Sequence, residues 1–581
     1  MSTTRVRVDG EDAVLADVAV DDAWNLVERF STLVRDSGSK DEQTAIASIT
    51  AHLDEWGVPY ELHAPELLIS LPGRAEFVVD GESMRAKTPS MAADTPPEGI
   101  TAPLVYEATG FATSLEDIFK PYASSSVEVA DRIVVCEGQP MGGKTRELEQ
   151  RGALGVVFVS PGERIHEGIV TTIWGSPDVT SWERKPRIPV VSIARPDGAA
   201  LIERLVAGEQ PMATLVAEHD DGYREIPVLV ATIPGGIEPE RFVLVHGHVD
   251  SWYVGVGDNA TGDATLLEVA RILWRHRDKL TRSVRVAWWS GHSHGRYAGS
   301  TWYAEAFAHD IERNCIAHVN CDSPGCRDAD AYESIMWMAE AAEFGSRCVS
   351  DFTGMAGRGI APVRGGDISF NNLGISTLYM LTSHMSQEEV ARRGWYGVGG
   401  CGGNLEWHAE DDLMHVADPD VLLRDMRLYV GTVLRLASLP VHPFAFGATL
   451  AQIEEALKGY EAALGAEFAT FERERALLGE LGGMLDALAE RAAALESTSD
   501  ARAINDALLT IGRRLVRILY TTGGVYRQET ADHVPALPEV ARAVSAAASM
   551  PVGVIRTDLA RSRNRLVGAL LECREAVAQV I

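Results

Sequence analysis

The sequence predicts an α/β fold in which helices cover a mostly parallel sheet, together with a β-rich insert and a helical C-terminal region. Between about residue 216 and residue 445, apolar strands alternate with helical patterns of ten or more residues, which is typical of a covered parallel sheet. Residues 100–215 instead contain short β-branched runs around one helical pattern. Residues 446–581 are rich in Ala, Leu, Glu and Arg at helical spacing. We therefore predict an α/β domain (residues 1–99 and 216–445), an inserted domain (100–215) and a helical domain (446–581).

Length and charge narrow the class of protein. The chain has 581 residues, which is too long for one hydrophobic core and suits two or three domains. Apolar residues make up 46%, enough to form globular cores. The formal net charge is −30. This charge argues against nucleic acid and anionic membranes as partners, because both require a basic surface.

The cysteines and the N-terminal residues indicate the cellular compartment of the protein. Seven cysteines without paired C-x-x-C spacing indicate a reducing environment. The first residues, MSTTRVRVDGEDAV, contain no apolar signal core, and no run approaches the length of a membrane span. We therefore expect a cytoplasmic protein without membrane contact.

Several candidate functional residues lie in one stretch, residues 242–262, with the sequence FVLVHGHVDSWYVGVGDNATG. It begins with an apolar run, Phe242–Val245, that predicts a buried strand, and it becomes polar at His248 and Asp250. Polar side chains just past the carboxyl end of a strand are where open α/β sheets place their active sites. Asp258 follows at the start of a predicted amphipathic helix. An imidazole and a carboxylate at these positions are candidate ligands for zinc, manganese or iron.

These blocks resemble the M28 metallopeptidases, and most closely the large members of the glutamate carboxypeptidase and transferrin receptor group. The resemblance continues in SVRVAWW (283–289), AGSTWYA (298–304), HVNCDS (318–323) and the text from Trp407 to Pro419. It implies that His248 binds one metal ion, that Asp250 orients His248 and that Asp258 bridges two ions. It also places Asp322 and His408 in ligand positions.

Two further regions resemble the same group. Residues 100–215, with the runs DRIVVCE and GALGVVFV, resemble its protease-associated domain, which in the family shapes the substrate entrance. A purely structural insert is the alternative. Residues 446–581 resemble its helical dimerisation domain, which implies a homodimer formed through an apolar helix face.

The chain departs from the family after the second strand, where the family has a Glu-Glu pair that supplies a general base and a metal ligand. Counting back from Gly299, the base position holds Ser293 and the ligand position holds His294. Neutral imidazole binds the same metals as a carboxylate, so we predict His294 as a ligand. Serine cannot serve as the base, because the pKa of its hydroxyl is far too high, so the metal or His292 would have to activate water.

The predicted site can now be stated in full. The predicted metal ligands are His248, Asp258, His294, Asp322 and His408. The predicted catalytic residues are Asp250, His292 and Ser293, and the pocket candidates are Arg296, Trp407 and Cys401, beside the Gly-rich loop of residues 397–403. The altered ligand set predicts one or two divalent ions, zinc first, with iron, manganese or copper as alternatives.

The resulting prediction is metal-dependent hydrolysis of an amide or peptide bond in a small molecule or short peptide. Three alternatives remain. A non-hydrolytic metal reaction of the lyase type would explain the missing base. A serine hydrolase would use the G-x-S-x-G pattern at Gly291–Gly295, with Ser293, Asp322 and His408 in triad order. A non-catalytic, receptor-like descendant is the third, and the retained ligand residues argue against it.

Overall fold

The structure, a computed structural model, describes residues 7–113, 115–118, 125–379, 381–465, 470–495 and 497–581. Residues 1–6 of the N-terminal segment considered above lie outside the described residues. The strands are β1 Tyr60–His63, β2 Glu66–Val79, β3 Glu82–Met84, β4 Ala86–Lys87, β5 Ile100–Tyr106, β6 Ile133–Glu137, β7 Gly155–Val159, β8 Val190–Ile193, β9 Met212–Glu225, β10 Val228–Ile233, β11 Glu238–His248, β12 Arg282–Trp289, β13 Cys315–Asn320, β14 Tyr332–Met336, β15 Gly357–Ile360 and β16 Ser376–Leu378.

Helices surround these strands and form the C-terminal region. They are α1 Glu11–Ala16, α2 Asp21–Phe30, α3 Lys40–Trp56, α4 Leu115–Ile118, α5 Gly142–Gln150, α6 Arg195–Val206, α7 Thr261–Arg275, α8 Ala298–Ala306, α9 Ala308–Asn314, α10 Ala342–Thr353, α11 Gln387–Arg393, α12 Pro419–Ser438, α13 Phe446–Leu464, α14 Glu472–Ala493, α15 Thr498–Tyr520, α16 Pro538–Ala546 and α17 Val552–Ala578. Among the described helices, none combines the length and the apolar character that a membrane crossing requires.

The central sheet has the strand order β1-β10-β12-β11-β13-β16. Strands β12, β11, β13 and β16 are parallel, and β1 and β10 add antiparallel strands at one edge. Successive residues of β11 point to opposite faces: Val243 and Val245 join the core that includes α7, while Phe242 and Leu244 join the core on the other face. The α/β fold with a mostly parallel, helix-covered sheet is therefore confirmed.

The β-rich insert is built on a second sheet with the order β3-β2-β9-β5-β6-β7-β8-β4. This sheet reaches beyond the predicted bounds of 100–215, because β2 pairs with β9 from Glu66↔Glu225 to Val79↔Ala213. The insert thus begins to form its sheet near residue 66. Strand β2 lies between β3 and β9, and β3 pairs with its last residues, Phe77–Val79.

The C-terminal helices pack directly on the α/β domain. Arg513 of α15 donates hydrogen bonds to the carbonyls of Glu312 (2.7 Å) and Gly374 (3.2 Å), and Arg517 donates to the carbonyl of Asn372 (3.0 Å). These guanidinium groups satisfy backbone carbonyls that would otherwise be buried without partners. The helical region therefore supports the sheet edge that carries β13 and β16.

The N-terminal helix α3 brings a short segment to the centre of the molecule. Ser39 caps its N-terminus: the Ser39 hydroxyl accepts a hydrogen bond from the Glu42 backbone N–H at 3.0 Å. The Glu42 carboxylate accepts from the Gly38 N–H at 2.7 Å and from the Ser290 hydroxyl, which follows β12. These hydrogen bonds hold the start of α3 against the carboxyl end of the central sheet.

Candidate metal centre

The candidate centre lies at the carboxyl ends of parallel strands, where their side chains converge. His248 ends β11 and pairs in register with Trp289, the last residue of β12. Asp322 follows β13 by two residues. The loop from residue 249 to residue 260, here called the Asp258 loop, leads from β11 to α7. The turn of residues 290–297, here called the β12 turn, leads from β12 to α8.

Two histidines and two aspartates meet in this place. His248 Nε2 lies 3.0 Å from Asp258 Oδ1 and 3.7 Å from Asp322 Oδ2. His408 Nε2 lies 3.1 Å from the other carboxylate oxygen of Asp258, Oδ2. The Asp258 carboxylate therefore lies between the two imidazoles, as a bridging ligand would.

The backbone sets the orientation of both imidazoles. His248 Nδ1 donates to the Asp250 carbonyl at 2.8 Å, and His408 Nδ1 donates to the Glu167 carbonyl at 3.0 Å. A carbonyl can only accept, so each ring is protonated at Nδ1 and a neutral ring has a free Nε2 lone pair directed at Asp258.

The charges at this place fit a cation. Burial lowers the pKa of His248, but the contact with Asp258 outweighs it and holds that pKa well above its ordinary value. Burial raises the pKa of Asp258, yet His248 and His408 hold it well below its ordinary value. His248 Nε2 and Asp258 Oδ1 are both buried. Within the described structure they do not form a hydrogen bond with each other, and neither has another hydrogen-bond partner. Buried polar atoms of this kind need a partner, and a divalent ion is one that both accept.

A carboxylate that we did not predict from the sequence holds the Asp258 loop. Asp412 accepts hydrogen bonds from the backbone N–H groups of Gly257 (2.8 Å) and Asp258 (3.0 Å). Burial, as the main cause, raises the pKa of Asp412 to about 7. Cys401, a predicted pocket residue, is buried beneath this carboxylate, with Sγ 3.4 Å from Asp412 Oδ2. The Asp412 position was visible in the text W-H-A-E-D-D, but nothing in its pattern distinguished it from Asp411.

Asp250 has a different role from the one predicted. Its carbonyl orients His248, whereas its carboxylate oxygen Oδ1 is 3.8 Å from the same ring. The carboxylate instead accepts from the Ser37 hydroxyl (2.6 Å) and from the N–H groups of His292 (3.2 Å) and Ser293 (2.9 Å). Asp250 therefore holds the β12 turn in place.

The structure places His292, and not His294, against the cluster. The rings of His292 and His248 are stacked, with centroids 3.7 Å apart, and one ligand atom each of His248, His292 and Asp322 lies within 4.8 Å of the others. The Nδ1 side of His294 is taken by the Ser37 N–H (3.3 Å) and hydroxyl (3.0 Å), and its Nε2 is 3.8 Å from Asp36 Oδ1. Burial lowers the pKa of His294 to about 4. The predicted roles of these two histidines, His294 as ligand and His292 at the substrate, therefore stay predictions that the geometry does not favour.

The remaining pocket candidates are Trp407, which lies beside His408, and Arg296, which lies in the β12 turn. The Trp407 ring stacks on His408 with centroids 3.8 Å apart, and a Cβ on Gly399 would lie 2.7 Å from that indole, so this part of the Gly-rich loop packs on Trp407. Arg296 is buried over the Tyr297 ring at 5.2 Å, and no described residue accepts from its Nε. Its backbone φ is +50°, a left-handed conformation that tends to mark functional sites.

The β-rich insert contacts the centre directly. The Glu167 N–H donates to the His408 carbonyl at 2.9 Å, which complements the His408–Glu167 bond described above. His166 Nδ1 lies 2.6 Å from the Trp407 carbonyl, and its Nε2 lies 2.8 Å from the Tyr396 hydroxyl. The insert therefore positions the loop that carries Trp407 and His408.

The triad of the serine hydrolase alternative is not assembled. Both nitrogens of His408 face other groups, Glu167 and Asp258, and Asp322 lies against His248. Ser293 donates its backbone N–H to the Asp250 carboxylate.

Comparison with known proteins agrees with this architecture. Residues 229–431 match the Peptidase family M28 model, and residues 100–201 match the PA domain model. A probable glutamate carboxypeptidase of Zea mays is 25% identical over 340 residues, which is 49% of this chain and 48% of the maize protein. Mouse aminopeptidase NAALADL1 is 34% identical over 102 residues (16% and 13% of the two chains), and chicken transferrin receptor protein 1 is 31% identical over 119 residues (20% and 15%). The chain thus spans about half of the maize relative and less of the others.

Solved structures show the same fold. An aminopeptidase from Aneurinibacillus sp. strain AM-1 superposes with a TM-score of 0.54 at 18% identity, over 75% of this chain and 97% of that one. A zinc aminopeptidase from Bacillus subtilis gives a TM-score of 0.51 at 18% identity, over 72% and 94%. Residues 229–431 therefore form a domain of peptidase family M28, in a chain that also contains a PA domain.

Proposed function

We propose that this chain is a metal-dependent hydrolase that cleaves an amide or peptide bond of a short peptide or small molecule. The observation that carries the proposal is the convergence of His248, Asp258, Asp322 and His408, with buried ligand atoms that lack hydrogen bonds. These four residues would hold the ion, and zinc is the first expectation because imidazole and carboxylate ligands suit it. A divalent ion there would supply a Lewis acid that polarises an amide carbonyl and lowers the pKa of water.

The residues around the ion would prepare it for this chemistry. The carbonyls of Asp250 and Glu167 fix the two imidazoles, and Asp412 fixes the backbone of Asp258. Burial of His248 and Asp258, with 2% and 6% of each residue exposed, keeps competing water away from the ligands. The peptidase names of the maize and mouse relatives support a peptide or amide substrate.

One observation favours the non-hydrolytic alternative. The position of the family's base holds Ser293, whose N–H is hydrogen-bonded to Asp250, so that position brings no carboxylate to the substrate. A reaction of the lyase type, which does not need an activated water, is therefore the second candidate.

Peptide cleavage in isotopically labelled water tests the proposal. Purified protein loaded with zinc is incubated with a mixture of short peptides in H₂¹⁸O, and the products are weighed by mass spectrometry. Hydrolysis places ¹⁸O in the new carboxylate and stops after chelation; a lyase yields products without ¹⁸O. Turnover that persists after chelation, with fluorophosphonate labelling of Ser293, would instead favour a serine hydrolase. A metal-loaded protein without turnover on any peptide would favour the receptor-like alternative.

We further propose a homodimer that forms through the helices of residues 446–581. The side chains Met550, Val552 and Val554 are about half exposed at the start of α17, where a second copy would cover them. Light scattering should then give a dimer mass for the chain and a monomer mass for the Val552→Glu, Val554→Glu variant. The cytoplasmic location stays a prediction.

A further inference from the structure

We infer that a cleft between α9, α15 and the start of β11 binds the phosphate group of a small molecule. The cleft has a volume of about 270 Å³, close to the lower limit of small-molecule sites at about 300 Å³. Its charged lining consists of Arg241, Glu312, Arg313, Asp506, Arg513 and Arg514. Four guanidinium groups and two carboxylates therefore border one cleft, in a chain whose formal net charge is −30.

The cleft is separate from the candidate metal centre. Arg241 lies near the start of β11, and His248 ends the same strand. At a rise of about 3.3 Å per residue, the two are about 23 Å apart along the strand. The rest of the lining comes from the end of α9 and from one face of α15, on which Asp506, Thr510 and Arg514 recur every fourth residue. A ligand in the cleft would therefore contact both the α/β domain and the helical domain.

Both carboxylates of the lining already have partners. Asp506 Oδ1 lies 2.6 Å from a terminal nitrogen of Arg241. Glu312 pairs with Arg517 at 2.5 Å and accepts a hydrogen bond from the Tyr526 hydroxyl at 2.7 Å. Each carboxylate is thus balanced by one arginine, so the two leave the charges of other arginines unbalanced.

Two arginines of the lining carry these unbalanced charges. Arg313 is exposed, and its guanidinium forms no ion pair with a described residue. Arg513 is buried, and the groups that accept its hydrogen bonds are backbone carbonyls, which carry no net charge. Burial, as the main cause, lowers the pKa of Arg513 to about 10, and the nearby Arg517 and Arg241 lower that pKa further. An anion in the cleft would stabilise these cations, because a buried charge without a counterion is costly.

Arg514 adds a third guanidinium that can reach the ligand. It pairs with Glu572 of α17, but 40% of its side chain is exposed, and exposed ion pairs contribute little to stability. Guanidinium groups bind phosphate oxygens through paired N–H donors. A phosphate group carries a charge of about −1.5 to −2 at neutral pH, which matches the two unbalanced cations better than a single carboxylate does.

Calorimetric titration of the purified chain at constant ionic strength tests the assignment. The probes are inorganic phosphate and glycerol 3-phosphate, and sodium chloride is the comparison. We expect saturable binding and a higher midpoint of thermal unfolding, because a ligand that binds only the folded chain stabilises it. Arg313→Ala and Arg514→Ala should each weaken binding by about 10-fold, as the loss of a hydrogen bond to a charged group does, and the double variant should not bind. Arg473→Ala, at an exposed arginine of α14, is the matched control.

The two probes distinguish the sources of the phosphate group. Tighter binding of glycerol 3-phosphate would indicate a phosphorylated small molecule, and tighter binding of inorganic phosphate would indicate the free ion. Both results support the cleft as a phosphate site.

Three results would overturn the assignment. The first is the absence of saturable binding for both probes. The second is an unfolding midpoint that rises equally with sodium chloride at the same ionic strength. The third is phosphate binding that survives in the double variant and is lost in Asp258→Asn, which would place the phosphate at the metal centre. None of these results depends on peptide cleavage, so they are distinct from a failure of the proposed hydrolysis.

Discussion

The histidines beside the Asp258 loop and in the β12 turn border the same site but are oriented by different kinds of contact. His248, at the start of the Asp258 loop, is oriented by the Asp250 carbonyl two residues away, while the distant Asp412 carboxylate holds the backbone of the loop. In the β12 turn, the histidines are positioned by side chains from distant segments, Ser37 and Asp367. Contacts between distant side chains depend on how the domain packs. The orientation of His248 is therefore a local property, whereas the directions of His292 and His294 depend on the tertiary structure.

The largest expected effect tests the centre of the Asp258 loop. Asp258→Asn should abolish tight metal binding and lower activity by about 1000-fold or more, because the carboxylate between His248 and His408 loses its charge. Metal content of the purified variant, measured by mass spectrometry, checks this. Asp278→Asn, at an exposed aspartate, is the control. Full activity in a metal-free Asp258→Asn protein would exclude the metalloenzyme.

A smaller effect tests the support of the same loop. Asp412→Asn replaces one acceptor oxygen by an NH₂ group that faces the N–H donors of Gly257 and Asp258. We expect about 10-fold to 100-fold weaker metal binding, since groups that orient ligands contribute this much. The adjacent Asp411→Asn, which loses only its surface ion pair with Arg164, should bind metal normally. Equal losses in both variants would show that Asp412 has no special role.

The pH dependence of stability tests the contact between the insert and the site. Burial lowers the pKa of His166 to about 4, while an unfolded histidine titrates near 6.5. The folded pKa is depressed, so this stability is present above about pH 6.5 and is lost progressively as the pH falls towards 4. For His166 alone we expect about 2 kcal/mol less free energy of unfolding at pH 5 than at pH 7.

Urea titrations at the two pH values measure this difference. Burial also lowers the pKa of His246 and His294 to about 4, so the unmodified chain should lose more than one histidine's contribution. Gln can still donate to Trp407 and accept from Tyr396. His166→Gln should therefore lose less free energy of unfolding between pH 7 and pH 5, by the amount that His166 contributes. An unchanged pH dependence in that variant would contradict the prediction.

The smallest effect tests the anchoring of the N-terminal segment beside the β12 turn. Ser39→Ala removes the hydroxyl that caps α3 through the Glu42 N–H, and it should lower the free energy of unfolding by about 1 kcal/mol. Thermal unfolding at neutral pH checks this. Ser31→Ala, at a serine whose hydroxyl donates to the carbonyl of Glu28 at the end of α2, should lower the free energy of unfolding by less. A larger loss of stability in Ser31→Ala than in Ser39→Ala would contradict the role of Ser39 in anchoring α3.

The sequence by itself determined the fold class, the buried strand β11 and the polar positions of His248 and Asp258 after it. These follow from apolar periodicity and from the place of polar residues at the carboxyl ends of parallel strands. The resemblance to the M28 family added Asp322 and His408 as candidate ligands.

Only the tertiary structure decided which histidine of the β12 turn faces the cluster, and which carboxylates support it. In an irregular turn no period of 2 or 3.6 residues fixes the direction of a side chain, so His292 and His294 could not be ranked by spacing. Their directions are set by Asp250, Asp367 and Ser37, which lie between 42 and 257 residues away along the chain. The extension of the insert's sheet to β2 was decided in the same way, because the pairing of β2 with β9 joins segments far apart in sequence.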